Sequence, residues 1–369
     1  MGTVAVFGAG GLVGATVART ITLAPEVTRL HLFDINESAL RVEAMDAAMT
    51  AEKLRPQSLT VHTRTVDMTN VEAVAEAIDQ AAPDVLLQAA IPRSWYSFPH
   101  RFDPVTWRRL NREARMGPWL PLFMLLPMKL MQGRAQAGST APVVQISYPD
   151  AVNPALAAAG LAPTCGSGNS ENICTVMRVV AAEHLGLPAQ DVYVQLIANH
   201  FHAWALAADD PEFAERPMWY RILVGPDDVT ETVTTDAYWA DVRQRYPRTR
   251  PAFAATSAVK NATRLLRDDL TLSHVTGPGG LIGGVDARLG RSGVELVWPS
   301  GISEVEARQL LARAQQGDGI ERIADDGAVH FTEGSTQAMR ELMNYDCDVL
   351  QPDEVEQRAE ELMSRIPHD

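Results

Sequence analysis

The sequence predicts an α/β protein, with a doubly wound parallel sheet over residues 1–150 followed by an α+β domain over residues 151–369. Three observations predict it. Short, apolar, β-branched runs alternate with longer helical patterns through the first 150 residues. Those runs are apolar at consecutive positions, as strands are when helices cover both faces of a sheet. Beyond residue 150 the alternation gives way to separate helices and a glycine-punctuated hairpin. A length of 369 residues suits two domains at roughly 150 residues each.

Val4–Phe7 is the first strand. Leu12, Val13, Val17 and Ile21 line one face of a helix over Leu12–Thr22. Leu30–Phe33 is the second strand, and Glu37–Lys53 an alanine-rich helix. Leu59–Thr63 is the third strand, and Asn70 caps a helix over Val71–Ala81. Asp84–Ala90 and Val143–Ser147 are the fourth and fifth strands. Between them, Pro118–Met128 is the longest apolar run. It carries three prolines and is too short to span a membrane, so a buried core or interface helix is expected. Further on, Leu161–Thr164 and Val192–Ile197 read as strands and Glu171–Leu185 as a helix ending at Gly186. Residues 207–250, rich in Pro, Asp and Arg, read only as mixed helix and loop. Ser257–Leu266 is helical. Val285–Leu289 and Val294–Trp298 form a hairpin, and helices at 303–316, 335–343 and 352–365 close the chain. Ser303 and Glu306 fit a capping box.

Composition narrows the function. Apolar residues at 46% and charged residues at 21% exclude extensive disorder. A net charge of −14 argues against a non-specific nucleic-acid partner, which needs a basic surface, yet leaves room for a locally basic pocket. The three cysteines, Cys165, Cys174 and Cys347, cannot all pair, which points to a reducing compartment. Met1–Phe7 reads as a strand and not as a signal peptide. Together these features predict a cytoplasmic protein without a membrane partner.

Gly8, Gly10, Gly11 and Gly14 lie between the first strand and the first helix. A helix N-terminus offers free N–H groups and the positive end of a dipole, which suits a pyrophosphate, and glycines let the backbone approach it. Asp34 ends the second strand, 20 residues past Gly14. A carboxylate there accepts hydrogen bonds from ribose hydroxyls and repels a 2′-phosphate. The combination predicts a Rossmann-type site for NAD in preference to NADP, formed by Gly8, Gly10, Gly11, Leu12, Val13, Gly14 and Asp34.

Several segments resemble the lactate/malate dehydrogenase superfamily. They are Leu32–Ile35 with Glu43–Ala47, the run Asp84–Arg93, and Gly290–Glu295 followed by Pro299. The resemblance implies an NAD-dependent oxidoreductase that moves a hydride between a secondary alcohol or carbonyl and the nicotinamide. Its substrate would be a hydroxy acid or a polyol- or sugar-like molecule. Ala89 would lie against the cofactor. His200, in Asn199-His200-Phe201-His202, would be the general acid/base, and its near-neutral pKa suits that task. Glu171 would orient it, with Asn172 open as an alternative. Arg93 would polarise the substrate oxygen. Arg101, Asn111, Tyr148, Thr256 and Ser257 would line the substrate pocket. The resemblance also implies a homodimer or homotetramer, as does the apolar helix after Gly117.

The chain departs from that pattern at two places. Tyr148-Pro149 stands where the family has Asn-Pro, and neither Cys174 nor Val176, near which an arginine would hold a substrate carboxylate, is basic; Arg178 follows one turn later. Cys165, His200 and Gly117-Pro118-Trp119 also resemble the NAD-dependent glycoside hydrolase family four. That resemblance would make Cys165 and His200 ligands of a divalent metal in a redox–elimination glycosidase. Thiolate and imidazole alone leave its shell incomplete, and the hairpin favours the metal-free dehydrogenase. A catalytically idle NAD-binding protein is the third alternative.

Overall fold

A computed structural model describes residues 2–246 and 251–367. Six parallel strands come first: β1 (Gly2–Phe7), β2 (Val27–Asp34), β3 (Thr60–Thr65), β4 (Val85–Gln88), β5 (Val143–Gln145) and β6 (Cys165–Gly166). They lie side by side in the order β3-β2-β1-β4-β5-β6. The connections carry α1 (Leu12–Ile21), α2 (Glu37–Leu54), α3 (Val71–Ala81), α4 (Pro104–Arg109), α5 (Leu120–Gln136) and α6 (Pro149–Ala158). Alternation along the strands explains the two layers of helices. Ala5, Phe7 and Leu86 point into a core shared with α3 and α5, whereas Val4, Val6, Val85 and Leu87 point into one shared with α1. Chain order reverses between β1 and β4, and ligands of such sheets bind beyond the carboxyl ends of the strands there.

The second half starts with α7 (Ser170–Leu185), β7 (Val192–Ile197), α8 (His200–Ala208) and α9 (Glu212–Glu215). Residues 207–246 are not only helix and loop. They contain β8 (Trp219–Val224) and β9 (Asp227–Asp228), which join β7 in an antiparallel sheet, and then α10 (Thr230–Val233) and α11 (Asp236–Arg245). Residues 247–250 of that stretch lie outside the described residues. α12 (Pro251–Arg267) is a turn and a half longer than its apolar pattern indicates. β10 (Leu272–Thr276), β11 (Gly284–Gly290) and β12 (Gly293–Leu296) then extend the main sheet antiparallel beyond β6, giving nine strands. The sheet therefore continues across residue 150.

The chain closes with α13 (Glu304–Gln316), β13 (Ile320–Ile323), β14 (Val329–Phe331), α14 (Glu333–Met343), β15 (Val349–Leu350) and α15 (Val355–Arg365). Ser303 and Glu306 form the capping box, and Asn70 caps α3. The apolar run after Gly117 becomes α5, buried on nearly every side. Its cover comes from this chain: α3 packs on one flank and α15 on another, with Lys129 Nζ 2.7 Å from Glu356. A partner subunit is thus not required to bury α5. No described helix is long and apolar enough to cross a membrane.

Candidate active site

The loop from β1 to α1 is set by steric limits. Gly8 has φ +86°, and a Cβ there would lie 2.6 Å from the backbone nitrogen of Ala90. A Cβ on Gly14 would lie 1.9 Å from the carbonyl oxygen of Gly8. Glycine at both positions lets α1 start directly against β1 and β4. At Gly11, by contrast, a Cβ would meet nothing closer than 3.4 Å, so the space before the helix is open. The first N–H groups of α1 have no partner within the helix and present its positive end there. Asp34 accepts hydrogen bonds from the backbone N–H groups of Gly10 and Asn36, both at 2.9 Å, and stays half-buried.

A cavity of about 300 Å³ adjoins this loop, with Val13 and Ala89 forming one edge. His200, the first residue of α8, lines it and places Nδ1 2.9 Å from Asp318 Oδ1. Burial alone would lower the His200 pKa. The Asp318 carboxylate, through charge and hydrogen bond, together with Asp150, outweighs burial and raises it. Nε2 has no hydrogen-bond partner among the described residues, so it is the nitrogen available to exchange a proton. Asp318 sits in the turn Gly317-Asp318-Gly319 after α13. A Cβ on Gly317 would lie 2.3 Å from the Phe201 ring, so glycine lets that turn press onto α8.

The neighbouring His202 has a different task. Its Nδ1 accepts from the backbone N–H of Asn199, and its Nε2 faces the carbonyl of Arg216, both at 2.9 Å. Burial pushes it down to about 4, so it remains a neutral structural group.

Tyr148 and Asp150 underlie the cavity. The Tyr148 ring stands edge-on to His200 with centroids 4.9 Å apart. Burial and the carboxylates of Asp318 and Asp150 push its phenol far upward, so it stays a neutral hydroxyl. Asp150 accepts a hydrogen bond from the Asn169 amide, and burial pushes it up to about 6.

A cation also lines the cavity. Arg115 places Nη2 2.6 Å from Glu212 and Nη1 3.4 Å from Asp210, with its guanidinium 4.4 Å from the centre of the Trp204 ring. Three lining residues have positive φ: Arg115 at 61°, Tyr148 at 48° and Asn169 at 42°. Such conformations cost about 1–3 kcal/mol each and persist only where the surroundings hold them. Three of the eight described non-glycine residues with positive φ thus line this one cavity.

Comparisons with known proteins bear on the fold. No protein-family model matches the chain, and no curated protein does. Solved structures do. The lactate dehydrogenase from Cryptosporidium parvum, complexed with lactic acid and nicotinamide adenine dinucleotide, is 18% identical with a TM-score of 0.56, covering 85% of this chain and 94% of that one. The lactate dehydrogenase from Eimeria maxima with NADH and oxamate is 16% identical with a TM-score of 0.58, covering 85% and 90%. The malate dehydrogenase from Salinibacter ruber is 16% identical with a TM-score of 0.56, covering 85% and 93%.

The chain has the lactate/malate dehydrogenase fold.

Within this fold, the residues singled out from sequence fall into two groups. Val13, Ala89, Asn111, Tyr148 and His200 line the cavity, as does Asn172. Others do not. Glu171 is not the partner of His200: its carboxylate accepts from Ser257 Oγ at 2.5 Å and pairs with Lys260 at 2.8 Å. Ser257 is buried in α12 and also accepts from Gly168 N–H, so it fixes the turn before α7 instead of touching the cavity. Thr256 is exposed and bonds back to Phe253 within its helix. Arg101 donates to the carbonyl of Pro367 and so turns toward the end of the chain. Arg93 is half-buried between Ile91 and Trp95 but is not itself a cavity wall. The turn Trp95–His100 sends Trp95 and Phe98 into an aromatic cluster with Trp119, which draws that segment into the core.

Cys165 is not among the residues that line the cavity with His200. It is wholly buried among Val144, Ala258 and Ala262, and burial pushes its thiol up to about 12. Among the described residues no group of three or more His, Cys, Asp or Glu is placed to hold a metal ion. The sequence reading missed Asp318, Arg115, Trp204 and Tyr246. Only Asp318 carries a local signal, an acid held between two glycines just past a helix.

Proposed function

We propose that the protein is an NAD-dependent oxidoreductase acting on a secondary alcohol or the corresponding carbonyl, a hydroxy acid or a polyol-like molecule. The single observation that carries this reading is the His200–Asp318 pair in a cavity edged by Val13 and Ala89. The pair brings an acid/base group to the carboxyl ends of the strands that bear the glycine loop.

The loop fits NAD. The space before Gly11 and the unpaired N–H groups of α1 would take the pyrophosphate, and Asp34 would take the ribose hydroxyls. Bound there, NAD supplies the hydride acceptor. This chain's own part is proton handling. Nε2 of neutral His200 takes the hydroxyl proton as the alcohol is oxidised, and protonated Nε2 returns it in the reverse direction. Asp318 fixes the ring through Nδ1 and stabilises the imidazolium. Tyr148, kept neutral, packs against the ring. The aromatic walls Trp95 and Tyr96 exclude water.

The test is calorimetric titration with NAD and NADP, followed by turnover of His200→Asn on a panel of hydroxy acids and polyols. NAD binding preserved in the variant with turnover lost supports the reading. Turnover retained in His200→Asn removes this mechanism, and absence of NAD binding removes the oxidoreductase.

A further inference from the structure

We propose that the cavity selects an uncharged hydroxy compound over a hydroxy acid, and that Asp210 and Glu212 impose the choice by neutralising Arg115. The inference rests on the reading of this cavity as a substrate site. A hydroxy acid brings a carboxylate, and the strongest partner for it is a guanidinium with both arms free. Among the described residues Arg115 is the one Arg or Lys on the cavity walls. Both of its arms are engaged, Nη2 by Glu212 and Nη1 by Asp210, and Trp204 lies against its face. Its side chain is 14% exposed and that of Asp210 8%, so water screens that pair little, whereas Glu212 is 36% exposed.

A carboxylate entering here meets a cation whose arms already hold Asp210 and Glu212, the latter shared with Arg216 at 2.7 Å. It also meets Asp318 on the wall and Asp150 beneath it. Like charges brought together in such a site act as the repulsive element of specificity.

The neutral groups are in the opposite state. The side chains of Asn111 and Asn172 line the cavity with no hydrogen-bond partner among the described residues, and the hydroxyls of Ser147 and Ser167 are buried there without one. Unpaired hydroxyls are costly to bury, and with the partly exposed amides they suit a ligand that donates and accepts without charge. An alcohol with several hydroxyls does so. Asp210 and Glu212 belong to the segment after α8. They reach the cavity through Arg115, which lines it.

The experiment compares glycerol with glycerate, which differ by one hydroxymethyl group against one carboxylate. Ligand-observed NMR titrations are run on the full chain with NADH present, and NADH binding is read separately by its fluorescence. The wild-type chain is expected to bind glycerol at least about tenfold more tightly than glycerate. Asp210→Asn with Glu212→Gln frees Arg115 while keeping the acceptor that caps the Glu212 N–H. It is expected to shift the ratio about tenfold or more toward glycerate. A wild-type preference for glycerate, no glycerol binding, or an unchanged ratio in the folded double variant overturns the proposal. Should the double variant fail to fold, Arg115→Gln decides. Unchanged glycerate binding in that variant supports the proposal, and a tenfold loss overturns it by showing that the cation was already in use. Failure of NADH to bind would remove the dehydrogenase reading while leaving the glycerol-to-glycerate ratio readable.

Discussion

The glycine loop at residues 8–14 and the cavity wall around His200 and Arg115 are built on different principles. The loop is compact and steric: its glycines lie within seven residues, and its constraints are Cβ atoms with no room, at Gly14 against Gly8 and at Gly8 against Ala90. The wall is distant and electrostatic. His200 and Asp318 are 118 positions apart, and Arg115 and Asp210 are 95 apart. Steric rules between chain neighbours can be read in order. A charge partner is chosen by the assembled fold, among several carboxylates that each look suitable in the sequence.

Variants can break this comparison from the wall side or the loop side. The largest effect is expected from Asp318→Asn. Loss of the orienting carboxylate should lower turnover about 10²–10⁴-fold, the range for general acid–base catalysis, with NAD binding intact. Steady-state kinetics beside calorimetry would measure it. On the loop side, Gly14→Ala places a Cβ against the Gly8 carbonyl. It should cost about 1–3 kcal/mol of stability by overpacking and weaken NAD binding while sparing the His200 pKa. Denaturant unfolding and titration would check both.

The pH dependence sharpens the wall further. His200 titrates above its ordinary value of 6.5 because Asp318 and Asp150 outweigh its burial. Alcohol oxidation needs the neutral ring and should therefore rise with pH through that raised pKa, and carbonyl reduction should fall. Asp318→Asn should move both midpoints downward. The sign for stability is opposite to that for oxidation. The charged pair contributes fully below the ordinary histidine value, and that contribution is lost as pH rises through the raised one. The smallest expected effect lies far from either region. Asn70→Ala removes the cap of α3, whose side chain accepts from Ala73 N–H at 3.0 Å, and should cost about 1 kcal/mol without altering the cavity.

Much of the fold was legible because the patterns are strong. β1 to β5 and α1 to α3 fall where β-branched runs, helical periodicity and caps place them. β8 was hidden because Trp219-Tyr220-Arg221-Ile222-Leu223-Val224 has no clean alternation: only Ile222 is buried, and the strand exists by pairing with β7. The site was legible in part. His200 follows a strand end and its role is suggested by residue type. Its partner was misread because Glu171 stands on a helix close to the expected place, yet Lys260 and Ser257 from α12 hold that carboxylate. Arg115 carried no signal at all. Its importance comes from a backbone at φ 61° and from two acids in a segment without a recognisable motif.

The most direct test of the account is which carboxylate governs His200. NMR titration of the histidine side chains, in the wild-type chain and in the Asp318→Asn and Glu171→Gln variants, needs no substrate. The account predicts that Asp318→Asn lowers the His200 pKa and that Glu171→Gln leaves it in place. A lowered pKa in Glu171→Gln with no change in Asp318→Asn would contradict it.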